Sequence, residues 1–377
     1  MRALINALII HFTLNILVFL KGLHVFEQKK ISRIILISVF SIELFVYTFG
    51  FIFYRNLPEN VNQITRFIGT SWMFFLLYSG GIWLLCDILY LIFNLIRRKS
   101  WKPRAQSMKY KIISFYATII VVIAIMYNGN KRFQNPVVQQ IPITLNKSAG
   151  ELKTIRVAMI GDLHLGWMIS KKEAIRFVDL IMAQKPDLIL FVGDIIDSNI
   201  EPILDENLDI ELSKLNAPLG VFSCTGNHEY RYDAEEKIQL LNKTGITILR
   251  DSAIFIDSLF YVIGREDRIV PNRKSLNEIL SIYNIDRSRP IIVLNHTPDN
   301  LDEEVEAGAD IALYGHTHHG QSFPGNIVTE KVFELAYGYL KKDSTHLYVT
   351  SGIGLVGPQY RIGTVSEIVM LNIQFQN

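Results

Sequence analysis

Cysteine is nearly absent from this sequence of 377 residues: Cys86 lies in an apolar run and Cys224 far downstream, where a core position is its simplest reading. Two such residues exclude a disulfide framework and a cysteine-rich zinc module. Acidic residues are scarce in the first third, four among residues 1–130 against 14 Lys and Arg, whereas the rest of the chain carries 32 acidic and 24 basic residues. The whole-chain charge of +2 therefore conceals two oppositely charged regions. Charged residues make up only 20% of the chain and apolar residues 49%, with a mean hydropathy of +0.23. This composition excludes intrinsic disorder and gives no reason to expect a nucleic-acid partner. At about 150 residues per domain, the length allows two or three domains.

What the first region has instead is long apolar runs. Residues 3–20, 34–54, 67–96 and 112–127 approach or exceed the roughly 20 residues needed to cross a bilayer, and they are apolar on every face, unlike helices of a soluble core. Four transmembrane helices are expected within residues 1–130. A signal peptide is the alternative for the first run, but Lys21-Gly22-Leu23-His24 offers no small-residue cleavage pattern. The loops after the first and third runs carry eleven Lys and Arg, including Arg97, Arg98, Lys99, Lys102 and Arg104, against five on the opposite side. The excess marks the cytoplasmic face and puts the C-terminal region outside the cytoplasm, in a cell or inner membrane. Glu43 and Asp87 fall inside runs, where pairing with polar groups in the bundle explains them as well as any function.

Residues 131–153, rich in Asn, Gln and Pro, read as a linker. From residue 154 short apolar runs alternate with amphipathic stretches, the pattern of an α/β domain over 154–377. Strands are expected at 155–160, 187–192, 220–224, 291–294, 311–314, 347–350 and 367–373, with a hairpin at 254–263 turning at Ser258-Leu259. Helices are expected at 171–184, 234–242 and 275–283. The segment Tyr337–Lys342 reads as a solvated loop rather than a lipid-headgroup contact.

Seven of the nine histidines lie in this second region, and several follow strands. Gly161-Asp162-Leu163-His164, Gly193-Asp194-Ile195-Ile196-Asp197, Gly226-Asn227-His228-Glu229, Asn295-His296 and Gly315-His316-Thr317-His318 each end a predicted strand. One such motif is weak, since a Gly-Asp turn is often only a cap. Five in series, each at a strand end, place side chains over the edge where open α/β sheets hold ligands. Asp, Asn and His form a mixed oxygen and nitrogen donor set suited to Mn, Zn or Fe. Seven donors exceed the needs of one ion. Two ions about 3.5–4 Å apart, bridged by Asp194, would use them all and hold a hydroxide poised to attack phosphorus.

These blocks resemble the calcineurin-like metallophosphoesterases over residues 154–373. Gly315-His316-Thr317-His318-His319-Gly320-Gln321 and Ser351-Gly352-Ile353-Gly354 are similar to the bacterial membrane-associated branch, with His319 standing where that branch has glycine. The resemblance implies two packed mixed β-sheets flanked by helices, following the four-helix region. It implies one metal on Asp162, His164, Asp194 and His318, and a second on Asp194, Asn227, His296 and His316. It makes His228 the residue that stabilises charge on phosphorus or protonates the leaving oxygen, catalytic together with Asp194. Asp197 and Glu229 are candidates to orient the metal ligands, although capping explains them equally well. His319 and His346 receive no role.

The expected activity is hydrolysis of a phosphoester or pyrophosphate bond, with the bilayer as partner and a lipid-linked phosphate as a substrate that suits the location. The family includes UDP-2,3-diacylglucosamine hydrolases acting on the cytoplasmic side, which the expected orientation disfavours. The alternative is a membrane sensor or scaffold whose domain binds without turnover. A transporter with an accessory hydrolase would need more intramembrane polar residues than Glu43 and Asp87.

Overall fold

A computed structural model of the protein describes residues 2–53, 57–96 and 108–376. The chain divides into two units, Met1–Asn128 and Gly129–Asn377. Helices α1 (Arg2–Val25), α2 (Lys30–Phe53), α3 (Glu59–Ile96) and α4 (Met108–Gln134) come first. Among the described residues, Lys30–Gly50, Ile64–Phe93 and Lys111–Gln134 are long and apolar enough to cross a membrane. The first expected span is not among these: within α1 the described apolar stretch is the shorter Ile9–Val25, which includes Lys21 and His24 near its end. Arg55 and the basic cluster from Arg97 to Arg104, on which the expected orientation leans, lie outside the described residues.

Within the first unit, Val18, Phe40, Leu76, Trp83 and Phe115 pack together while many larger apolar side chains face outward. Glu43 is buried, with Oε1 3.4 Å from His11 Nε2. Asn15 Nδ2 lies 2.9 Å from the same ring nitrogen, and Trp72 Nε1–H donates to Asn15 Oδ1 at 3.1 Å. Asp87 pairs with Lys21 at 2.5 Å. Both acids of these apolar helices thus have polar neighbours inside their own unit.

The second unit continues with β1 (Val137–Leu145), β2 (Thr154–Ile160), α5 (Lys171–Ala183), β3 (Leu188–Phe191), α6 (Glu201–Asp205), α7 (Leu208–Leu212), β4 (Val221–Ser223), α8 (Ala234–Lys243) and β5 (Thr247–Ile248). Then come β6 (Ser252–Ile256), β7 (Phe260–Gly264), α9 (Leu276–Ile282), β8 (Ile291–Leu294), α10 (Asp302–Glu306) and β9 (Ile311–Tyr314). A 3₁₀ turn at His318–Gly320, α11 (Gly325–Val332), β10 (Gly338–Lys342), β11 (Thr345–Val349) and β12 (Glu367–Phe375) complete it. The strands form two mixed sheets, ordered β1-β12-β2-β3-β4-β5 and β10-β11-β9-β8-β7-β6.

Alternation explains the layering. Along β12, Val369, Leu371, Ile373 and Phe375 join Val157, Leu190, Val262, Ile292 and Leu313 in the core between the sheets. Ile368 and Met370 point to the opposite face, where α5 buries Ala174, Phe177, Val178 and Ile181 at helical spacing.

Two sequence expectations need correction. The segment expected as a linker contains β1, which pairs in parallel with β12 along all nine of its residues. Its polar residues are tolerated because β1 is an edge strand whose burial is partial. The expected loop at Tyr337–Lys342 is mostly β10, an edge strand antiparallel to β11 that is partly exposed at every position.

Candidate metal centre

Parallel strands β2, β3, β4, β8 and β9 end on one side, and each is followed by a turn bearing candidate ligands. Asp162, His164, Asp194, His316 and His318 all adopt positive φ, between 48° and 68°. Non-glycine residues rarely sit in that region, and its use at five such positions marks turns held by their surroundings. Close approach supplies part of that hold. A Cβ on Gly226 would lie 2.2 Å from Asp194 Oδ1, so only glycine lets the β3 and β4 turns meet.

Donor atoms converge in two groups that share one oxygen. Asp162 Oδ1 lies 3.8 Å from His164 Nε2 and 3.4 Å from His318 Nε2, and the two ring nitrogens are 3.0 Å apart. Asp194 Oδ2 is 3.7 Å from His164 Nε2 and 3.1 Å from His296 Nε2. Asn227 Oδ1 is 3.3 Å from His296 Nε2 and 2.9 Å from His316 Nδ1. All seven sequence-predicted ligands are therefore brought together, with Asp194 between the groups.

The surroundings aim these donors. His296 Nδ1–H donates to Val192 O at 2.7 Å, which leaves Nε2 facing Asp194. The His228 backbone N–H donates to Asp194 Oδ1 at 2.7 Å, and the His316 N–H to both oxygens of Asp162. Buried Glu229 accepts from the backbone N–H groups of Asp194, Ile195, Ile196 and Gly226 at 2.8–3.2 Å, fastening the Gly-Asp turn to the Gly-Asn-His-Glu turn. Asp197 meets His228 Nδ1 at 2.9 Å and lies 3.4 Å from His164 Nδ1. The His228 Nε2 is 3.9 Å from Asp194 Oδ2. His319 stacks on Tyr337 and pairs with Glu330 at 3.1 Å, outside the converging donors. His346 lies on β11 beside Tyr339.

Charge balance fits cations. Burial opposes ionisation of Asp162 and Asp194, yet the facing histidines overcome it and hold both carboxyls below their usual range. Burial likewise opposes protonation of His164 and His296, but the carboxylates raise both to about 10. His318, buried beside His164 and Arg361, is pushed down to about 3. Without metal, then, two buried imidazolium rings neutralise carboxylates that divalent cations would neutralise instead. The oxygen and nitrogen donors suit such ions. His164 Nδ1 and His318 Nδ1 are buried without hydrogen-bond partners among the described residues.

Sequence reasoning missed Arg361. Fully buried, it donates from Nη1 to His318 O at 2.9 Å. A lone arginine in a stretch rich in glycine carries no spacing signal.

The family model described as calcineurin-like phosphoesterase matches residues 155–320. An uncharacterized metallophosphoesterase of Helicobacter pylori is 29% identical over 359 residues, covering 93% of this chain and 92% of its own. One from Campylobacter jejuni is 26% identical over 369 residues, covering 93% and 95%. A transmembrane protein with metallophosphoesterase domain from Danio rerio is 28% identical over 268 residues, covering 67% and 60%. With these motifs and candidate ligand groups, residues 155–320 are a calcineurin-like phosphoesterase domain, a domain of phosphoester hydrolases.

Proposed function

We propose that the protein is a membrane-anchored phosphoesterase with two divalent cations, and one observation carries this reading: two sets of donors meet at Asp194 Oδ2. Asp162, His164, Asp194 and His318 would hold one ion and Asp194, Asn227, His296 and His316 the other. Bound there, the pair supplies Lewis-acid charge neutralisation and activates water. The chain's own contribution is orientation. Glu229 holds the bridging turn, and the Asp197 main-chain carbonyl accepts from His228 Nδ1 at 2.8 Å, so that Nε2 faces the bridging carboxylate. His228 stabilises charge on the phosphoryl group or protonates the leaving oxygen.

A phosphoester carrying an apolar group, such as a lipid-linked phosphate, is the proposed substrate. Supporting this, α11 buries none of its residues, and Phe323, Ile327, Val328 and Val332 are exposed beside the site, where Phe333 lies edge-on to His316. The proposed architecture is residues 1–130 as a four-span anchor, with α1 as the first span, and 154–377 as the phosphoesterase domain. The positive-inside bias puts that domain outside the cytoplasm.

Turnover of bis-p-nitrophenyl phosphate by the purified full chain with Mn²⁺ tests the chemistry. Asp194→Asn and His228→Ala should each lower kcat at least about 10²-fold. A folded, metal-loaded wild type inactive across a phosphoester panel would support the sensor reading instead. A reporter fused to the C-terminus tests the orientation, and cytoplasmic activity of that reporter would reverse it.

A further inference from the structure

Arg361 lies outside every motif block, yet it is fully buried, and although the Asp162 and Glu367 carboxylates are near enough to attract it, none is paired with it among the described residues. Its guanidinium hydrogen bonds go to main chain and one hydroxyl. Nη1 donates to His318 O at 2.9 Å, and Nη2 to Ser351 O at 2.7 Å, Gly352 O at 3.0 Å and Gly354 O. Nε donates to Ser366 Oγ at 3.3 Å. The turn held by Nη2 is itself bonded to the Asp162 turn, since Ile353 N–H donates to Gly161 O at 3.0 Å and Gly354 N–H to Asp162 O at 3.1 Å. One side chain therefore ties the His318 turn directly, and the Asp162 turn through a single intermediate loop. Burying a guanidinium among neutral carbonyls is costly, and the planar five-donor fork does here what a lysine ammonium would not.

Arg361 is in turn held by the C-terminal turns of α4. Its backbone N–H donates to Gly129 O at 3.0 Å, Asn130 Nδ2 donates to Gln359 O at 2.9 Å, and Arg132 Nη1 approaches Thr364 O at 3.5 Å. Contact is close enough that a Cβ on Gly129 would lie 2.6 Å from Ile362 Cγ1.

We propose that Arg361 is a positioning residue for the metal centre, and that Gly129–Arg132 of α4 keep it in register with the Asp162 and His318 turns. The proposal rests on the two-cation reading above. Its consequence is that disturbing the end of α4 disturbs metal affinity through a chain of hydrogen bonds, without touching a ligand.

The test uses the full-length protein in detergent, Mn²⁺ as the probe in titration calorimetry, and diester turnover measured in parallel. Arg361→Lys keeps the charge and loses the fork. It should weaken Mn²⁺ binding about 10–100-fold, the range for groups that orient metal ligands. At saturating Mn²⁺, kcat should fall while KM for the diester stays unchanged, a split that general loosening of the domain would not give. Gly129→Ala retains Arg361 and pushes on Ile362, and should weaken Mn²⁺ binding in the same direction by a smaller factor. A wild type that binds no Mn²⁺ overturns the metal reading and this proposal with it. A wild type that binds Mn²⁺, beside a folded Arg361→Lys of equal affinity and turnover, overturns the positioning role alone. If Arg361→Lys does not fold, unchanged Mn²⁺ affinity in Gly129→Ala overturns it.

Discussion

The two units handle apolar residues in opposite ways. In Met1–Asn128, Ile42, Phe45, Leu84 and Ile120 are each more than 60% exposed, whereas His11, Asn15 and Glu43 are buried. In Gly129–Asn377, strands such as β3, β8 and β9 bury every residue, and the turns that follow them bury Asp194, His296 and His318. The same hydrophobic effect explains both once the solvent is named. Hydrocarbon, in the proposed membrane setting, would accept isoleucine on the outside of the first unit, and water drives it inside the second. Buried polar residues likewise differ in arrangement: in the first His11, Asn15 and Glu43 gather beside Trp72, and in the second they converge around Asp194.

The sharpest way to test that contrast is to strip the divalent ions. Chelation should lower diester turnover by about 10²–10³-fold or more while leaving the protein in the membrane fraction, because the apolar helices proposed as its anchor carry none of the candidate ligands. Release of protein from the membrane on chelation would break the comparison. Next in size is a matched pair of lysine substitutions at exposed isoleucines. Ile120→Lys should cost about 2.5–3.5 kcal/mol of insertion free energy, read from the fraction resisting carbonate extraction. Ile282→Lys, 57% exposed at the end of α9, should leave extraction and the thermal midpoint nearly unchanged. Equal effects would show that the two surfaces face the same solvent.

Smaller still is Glu229→Gln, which leaves backbone N–H groups short of one anionic acceptor and should cost about 1.5–3 kcal/mol in thermal unfolding of the second unit. No loss of stability would show that Glu229 does not fasten those turns. The smallest effect is in proton counting. His164 and His296 hold protons up to about 10 without metal, so loading both cation positions at pH 8 should release about two protons, visible as a dependence of calorimetric heat on buffer. In the metal-free protein the same raised values give stability that is complete below about pH 6.5 and lost as pH rises through about 10. Metal binding without proton release would contradict that charge arrangement.

Much of the site was legible because its chemistry is written at strand ends. A short apolar run, then glycine, then Asp, Asn or His, is a local pattern, and Asp162, Asp194, Asn227 and His316 all sit in one. Their convergence follows from parallel strands ending on one side of a sheet. Arg361 was not legible, because its role depends on carbonyls of residues 318 and 351–354 that only the tertiary fold brings to it. β1 was not legible either: Gln139, Gln140 and Pro142 break the apolar alternation, and an edge strand needs little of it. The membrane region was legible as apolar length. The first helix shows the limit of that signal, since Lys21 and His24 sit where its last turns could be read as span or as flank.

Strand β12 lies between β1 and β2, although it follows every other strand in the sequence. During synthesis the apolar helices emerge first and β2 through β5 can pair as they leave the ribosome, while β1 waits with no neighbour. Only when residues 367–375 have been made can β1 find its partner, so closure of that side of the sheet waits for the last strand of the domain. Deleting that strand should leave a translated anchor attached to a headpiece that quality-control proteases recognise by its open seam.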